Sequence, residues 1–192
     1  MTAVLCFDLG SPYAWLAAER AGSVLGEDPE LEPVFLGGIF KQRGFGSWAD
    51  TPERAENVAE VERRAAAYGL PPVRWPPGWP PNTLAAMRAA TWAKREGRGR
   101  EFALAAFRTA FVDGRSLAEP AALEAAAAAA GLAADDVPGA VRDPAVKEAL
   151  RAATDAAWAR GVRGVPTLVA GGELYYGDDR LEEAAAALRN RS

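Results

Sequence analysis

The stretch FDLGSPYAWL, residues 7–16, carries an apolar run into Asp-Leu-Gly and then offers Ser11-Pro12 at the start of a helical pattern. A hydroxyl at such a turn has few chemical options in this chain. The sequence contains no histidine, which excludes Ser-His-Asp, Cys-His and His-ligated metal chemistry. Cys6 is the single cysteine, so an intrachain disulfide, a Cys-x-x-Cys redox pair and a thiolate zinc site are excluded as well. Nothing nearby can act as a strong base for Ser11. Taken locally, the residue reads first as a helix N-cap, with a catalytic use left open.

The elements that must position it can be read along the chain. Ala3 to Asp8 predicts a short buried strand, Gly10 a tight turn, and Ser11-Pro12 the start of a helix running to about Gly26. Leu31 to Leu36 predicts a second strand, parallel to the first across a βαβ crossover. Helices are then expected over 51–68, 83–96, 100–111, 119–130 and 143–160. The stretch GLPPVRWPPGWPPN, residues 69–82, holds too much proline for a helix and predicts a stiff, extended loop. Thr167 to Ala170, Gly171-Gly172 and Glu173 to Tyr176 predict a hairpin, followed by a last helix over 179–189. Cys6 falls within the first strand and reads as a core residue.

Composition bounds the partners. The chain has 192 residues, 49% hydrophobic and 25% charged, with net charge −4, which fits an ordinary globule with a substantial core. No basic track long enough for nucleic acid is present, and no run of about 18 apolar residues predicts a membrane span. No secretory leader pattern is recognisable, so a cytoplasmic location is the expectation.

A βαβ unit and a ββα unit with Pro166 entering the third strand resemble the thioredoxin ground plan. With helices inserted between its halves, the chain resembles the branch of DsbA-like oxidoreductases and kappa-class glutathione transferases. FDLGSPYAWLAAER, PPNTLAAMRA (residues 80–89) and GVPTLVAGGELYYGDDRL (residues 164–181) are similar to segments of 2-hydroxychromene-2-carboxylate isomerases, which carry Ser-Pro-Tyr where redox relatives carry Cys-x-x-Cys. The resemblance implies an α/β, thioredoxin-like fold with an all-helical insertion: residues 1–40 as the first half, 41–142 as the insertion, and 143–192 as the second half.

The same resemblance implies a function and a site. The protein would bind glutathione, or another small thiol, and interconvert 2-hydroxychromene-2-carboxylate and trans-o-hydroxybenzylidenepyruvate, a small aromatic carboxylate. Ser11 would be the catalytic residue, hydrogen-bonding the thiolate at the start of the first helix. Val165, before a cis Pro166, would offer its main chain to the thiol. Asp178 and Asp179 would hold the γ-glutamyl end, although Asp178 stands where relatives usually carry Ser or Gln and would add a repelling carboxylate. Asp179 with Glu182 also fits a capping box. Tyr13, Lys41 and Asn82 would face the substrate, Asn82 equally being an N-cap. Trp75 and Trp79 read as packing for the proline-rich loop more than as walls of a pocket. The resemblance leaves a homodimer open and implies no metal. A kappa-type transferase and an inactive thioredoxin-like binding module are the alternatives.

Overall fold

A computed structural model describes residues 3–44 and 46–190. Strand β1 (Val4–Phe7) leads through a turn into helix α1 (Pro12–Leu25), and β2 (Glu30–Pro33) follows. Next come α2 (Leu36–Arg43), α3 (Arg54–Ala67), α4 (Leu84–Arg95), α5 (Gly99–Phe111), α6 (Pro120–Ala129) and α7 (Val137–Arg142). The chain closes with α8 (Pro144–Ala159), β3 (Thr167–Ala170), β4 (Glu173–Tyr176) and α9 (Leu181–Arg189). The strands form one mixed sheet in the order β2-β1-β3-β4. β1 runs parallel to β2, with Leu5 opposite Leu31, and antiparallel to β3, with Leu5 opposite Leu168. This is the thioredoxin-like arrangement that the resemblance implies, and the hairpin occupies the predicted residues.

The sheet and the helical block share one core. Helix α1 is buried along Ala14, Trp15, Leu16, Ala17, Ala18 and Ala21, where small residues let neighbouring helices approach. Trp15 stacks on Phe111 of α5 with centroids 5.7 Å apart, and Phe7 of β1 meets Phe107 at the same distance. Each fully buried side chain of this size contributes about 1.5–3 kcal/mol from removal of its surface from water. α5 therefore fastens the inserted helices to α1 and the sheet, which holds the first turn of α1 in a fixed place.

Two local expectations differ from the structure. The second strand, read from sequence as reaching Leu36, stops at Pro33, and residues 36–43 form α2, a helix with no counterpart in the sequence reading. Gly37 and Gly38 lower helix propensity there. Tertiary bonds prevail instead. The Phe35 amide donates to Thr154 Oγ1 (2.9 Å) and the Leu36 amide to Asp8 Oδ2 (2.8 Å), turning the backbone off the ladder, while Ile39 is sealed in the interior. The short α7, preceded by a 3₁₀ turn at Ala134–Asp136, was also not anticipated.

Candidate functional site

The site is built on the β1–α1 turn. Asp8 sits at the end of β1 with its side chain buried; Oδ1 accepts from Gly10 N–H (2.9 Å), while Oδ2 accepts from Leu36 N–H (2.8 Å) and from Thr83 Oγ1 (3.2 Å). One carboxylate thereby ties together the turn, the start of α2 and the loop before α4. Burial raises its pKa, while those hydrogen bonds pull the other way. Gly10 is required by close approach: a Cβ there would lie 2.7 Å from Thr83 Cγ2.

Ser11 follows as the N-cap of α1. Its Oγ accepts from Ala14 N–H at 3.2 Å, and Pro12 occupies the first helical position. On its other side the hydroxyl faces Val165, donating to the carbonyl oxygen at a long 3.5 Å. The Val165–Pro166 peptide bond is cis. The main-chain N–H groups of Val165 and Tyr13 find no acceptor among the described residues. Such unmatched donors beside a helix start suit an anion or an extended peptide-like ligand.

These groups line a cavity of about 750 Å³. Its walls are strongly aromatic, with Tyr13, Phe35, Phe40, Trp48, Trp79 and Tyr176. Tyr13 donates its hydroxyl to Asn57 Oδ1 (2.9 Å) and packs edge-on to Trp48 with centroids 5.9 Å apart. Burial pushes the Tyr13 phenol up, keeping it a donor. Trp79 is anchored over the turn by Nε1–H donating to the Gly10 carbonyl (3.1 Å), and Arg54 donates to the Trp79 carbonyl (2.7 Å). Trp75 lies behind it at 4.7 Å between centroids and packs on Phe111. The expectation that both tryptophans are packing residues therefore applies to Trp75; Trp79 also walls the cavity.

The residues named from sequence separate into two groups. Ser11, Tyr13, Asn82 and Val165 share the cavity, with Pro166 directly following Val165. Asn82 also accepts from Leu84 N–H (3.0 Å), so its turn-forming role is present alongside its exposure to the cavity. Lys41 is exposed on α2 outside the lining, because the helical turn of 36–43 carries it away; Arg43, on the same helix, lines the cavity and donates to the Arg163 carbonyl (2.6 Å). Asp178 and Asp179 also lie outside the lining. The Asp178 side chain is sealed, accepting from Arg64 Nη1 (2.7 Å) and Tyr68 OH (2.9 Å), so it presents no free carboxylate to a ligand. Asp179 is exposed, 3.4 Å from Arg64 Nη2. Tyr68 is pushed up to about 12 by burial and the adjacent Asp178. No 3₁₀-turn capping by Asp179 is seen; its turn, Asp178–Arg180, precedes α9 without a side-chain cap.

Asp8, Trp48, Asn57 and Arg43 were not anticipated at the site. Asp8 alone carried a local signal, a carboxylate ending an apolar strand just before the glycine turn. Arg43 and Asn57 arrive through the packing of α2 and α3, and Trp48 through the 3₁₀ turn Trp48–Asp50 between them. Among the described residues, no cluster of three His, Cys, Asp or Glu converges as a metal site, and no helix is long and apolar enough to cross a membrane.

With this geometry in place, comparisons with known proteins are specific. The family model described as the DSBA-like thioredoxin domain matches residues 3–189. A 2-hydroxychromene-2-carboxylate isomerase of Sphingobium xenophagum is 28% identical over 185 residues, covering 92% of this chain and 92% of its own. Glutathione S-transferase kappa 1 of Homo sapiens is 27% identical over 208 residues, covering 97% of this chain and 90% of its own. A solved structure of a 2-hydroxychromene-2-carboxylate isomerase superposes with a TM-score of 0.86 at 22% identity, over 100% of this chain and 96% of that one.

Proposed function

The chain belongs to the DSBA-like thioredoxin family, and from that premise we propose that it is a glutathione-dependent isomerase. Its substrates would be 2-hydroxychromene-2-carboxylate and trans-o-hydroxybenzylidenepyruvate, or a closely related aromatic enone. One observation carries the reading: a capping serine, in place of a redox cysteine pair, faces the Val165 main chain on the wall of a 750 Å³ aromatic cavity.

The residues present fit a peptide thiol. The Val165 main chain beside Pro166 has an unmatched N–H, as strand-like capture of a cysteinyl segment requires. The cavity volume lies within the range typical of small-ligand sites, about 300–1,000 Å³. Bound glutathione would supply the thiolate that adds reversibly to the conjugated system and so frees the double bond to rotate. The protein's part is electrostatic and positional. Ser11 Oγ–H and the Tyr13 N–H stabilise negative charge at the start of α1. The sealing of Asp178 by Arg64 and Tyr68 removes the repulsion expected there, leaving the exposed Asp179 for an amino group. Arg43 takes the part expected of Lys41, as the cation for the substrate carboxylate, and Trp48 with Trp79 orients a flat ring.

The test is turnover of the enone with glutathione while free thiol is counted. Isomerisation without net thiol loss is the expected result. Stoichiometric thiol consumption would instead establish a kappa-type transferase, the reading favoured by the likeness to glutathione S-transferase kappa 1. Absence of both turnover and thiol binding would leave only a binding module.

A further inference from the structure

A second cavity, of about 460 Å³, opens between α2, α4 and α8. Its apolar surface comes from Phe35, Leu84 and Leu150. Its cations are Arg88 of α4 and Lys147 and Arg151 of α8. Arg151 is satisfied within its own helix, by Glu148 (2.6 Å) and Asp155 (3.0 Å), which also occupies the two carboxylates at this rim. Arg88 and Lys147 have no such partner. Among the described residues no carboxylate lies within ion-pairing distance of either, and Arg88 Nε is buried without an acceptor. Lys147 is exposed at the rim, whereas half-buried Arg88 keeps an unmatched inner nitrogen, so Arg88 is the cation that gains most from an anionic ligand.

We propose that this cavity is a second small-molecule site that takes a monocarboxylate with an aromatic or branched apolar body. The carboxylate would meet Arg88, with Lys147 at the rim, and the apolar body would lie on Leu84, Leu150 and Phe35. Three features select this class of ligand. Two unpaired cations call for an anion. The apolar lining calls for a hydrophobic remainder. The neighbouring Glu148 and Asp155 disfavour a polyanion such as a nucleotide. The site does not depend on glutathione or on the isomerase reading. It does have a physical link to the first cavity, since Phe35 lines both and sits at the N-cap of α2.

The test is a titration of the ¹⁵N-labelled full chain with benzoate, followed by amide shifts, on wild type and on Arg88→Met. Saturable shifts should appear at Leu84, Arg88, Lys147 and Leu150. Arg88→Met, with an otherwise unchanged spectrum, should weaken this binding by about tenfold or more, as loss of a charge-assisted contact implies. The uncharged benzamide should bind wild type weaker by a similar factor. Shifts confined to residues 10–13, 46–57 and 165 would overturn the proposal. So would undiminished binding by Arg88→Met, or equal affinity for benzamide. Should Arg88→Met fail to fold, Lys147→Met and the benzamide comparison decide the question on the same readout.

Discussion

Replacing Ser11 with alanine separates the structural from the chemical role of the hydroxyl. The structural cost follows from its bonds. Ser11 Oγ caps Ala14 N–H at 3.2 Å, a contact whose loss costs about 1 kcal/mol. The 3.5 Å approach to the Val165 carbonyl is too long to add much. In a chain of 192 residues, about 1 kcal/mol lowers Tm by roughly 2–4 °C. The chemical cost is larger. A hydrogen bond to a charged group is worth about 1.5–3 kcal/mol, and each pKa unit corresponds to about 1.4 kcal/mol. The pKa of a bound thiol should therefore rise by about one to two, cutting the thiolate fraction at neutral pH by up to roughly 10- to 100-fold. Thiolate ultraviolet absorbance against pH, with glutathione saturating, measures this directly beside a thermal melt. A variant that melts a few degrees lower yet keeps the wild-type thiol pKa and turnover would refute the assignment of Ser11 as the anion's donor.

Arg64→Met removes the cation from Asp178, whose side chain is 1% exposed, and should cost about 3 kcal/mol in denaturant unfolding; adding Asp178→Leu should restore much of that, and a loss under about 1 kcal/mol would contradict the sealed pair. Burial raises the Asp8 pKa in the folded state above its unfolded value, near ~3.9, so the fold binds the extra proton. The stability this contributes is present below the unfolded value and is lost as pH rises through the folded one. Melts of wild type relative to Asp8→Asn should thus show the difference moving against wild type as pH increases from about 4, with a growing wild-type advantage as the contrary outcome. Asparagine also leaves an N–H unmatched, a roughly constant offset of about 1–3 kcal/mol. Cys6 is buried in β1 and its thiol is pushed up to about 12, so iodoacetamide should label it in denaturant but not in the native protein; rapid native labelling would show that β1 opens.

Several features were legible in the residues because their causes are local. Ser11-Pro12 marks a helix start through capping and proline's missing donor, and the observed helix begins at Pro12. The glycine pair at 171–172 marks the hairpin turn between β3 and β4. The two strands around α1 pair in parallel because a helix of that length permits little else. Helix limits in the insertion fall within one residue of their signals, except that the helix expected from Thr51 starts three residues later, at Arg54.

What the residues alone determined, then, was the chain's local order of strands and helices, the absence of histidine and redox-pair chemistry, and a capped helix start beside a proline-led strand. Tertiary structure decided which side chains meet there. It turned 36–43 into a helix against its glycines because a buried Asp8 carboxylate and Thr154 captured the backbone amides, and this rotation replaced Lys41 by Arg43 at the cavity. It buried the Asp178 side chain under a guanidinium from a helix 114 positions earlier, forming an ion pair that no local pattern announces. Short-range propensity acts over neighbouring residues, whereas the pairing and burial of charges depend on segments distant in the chain.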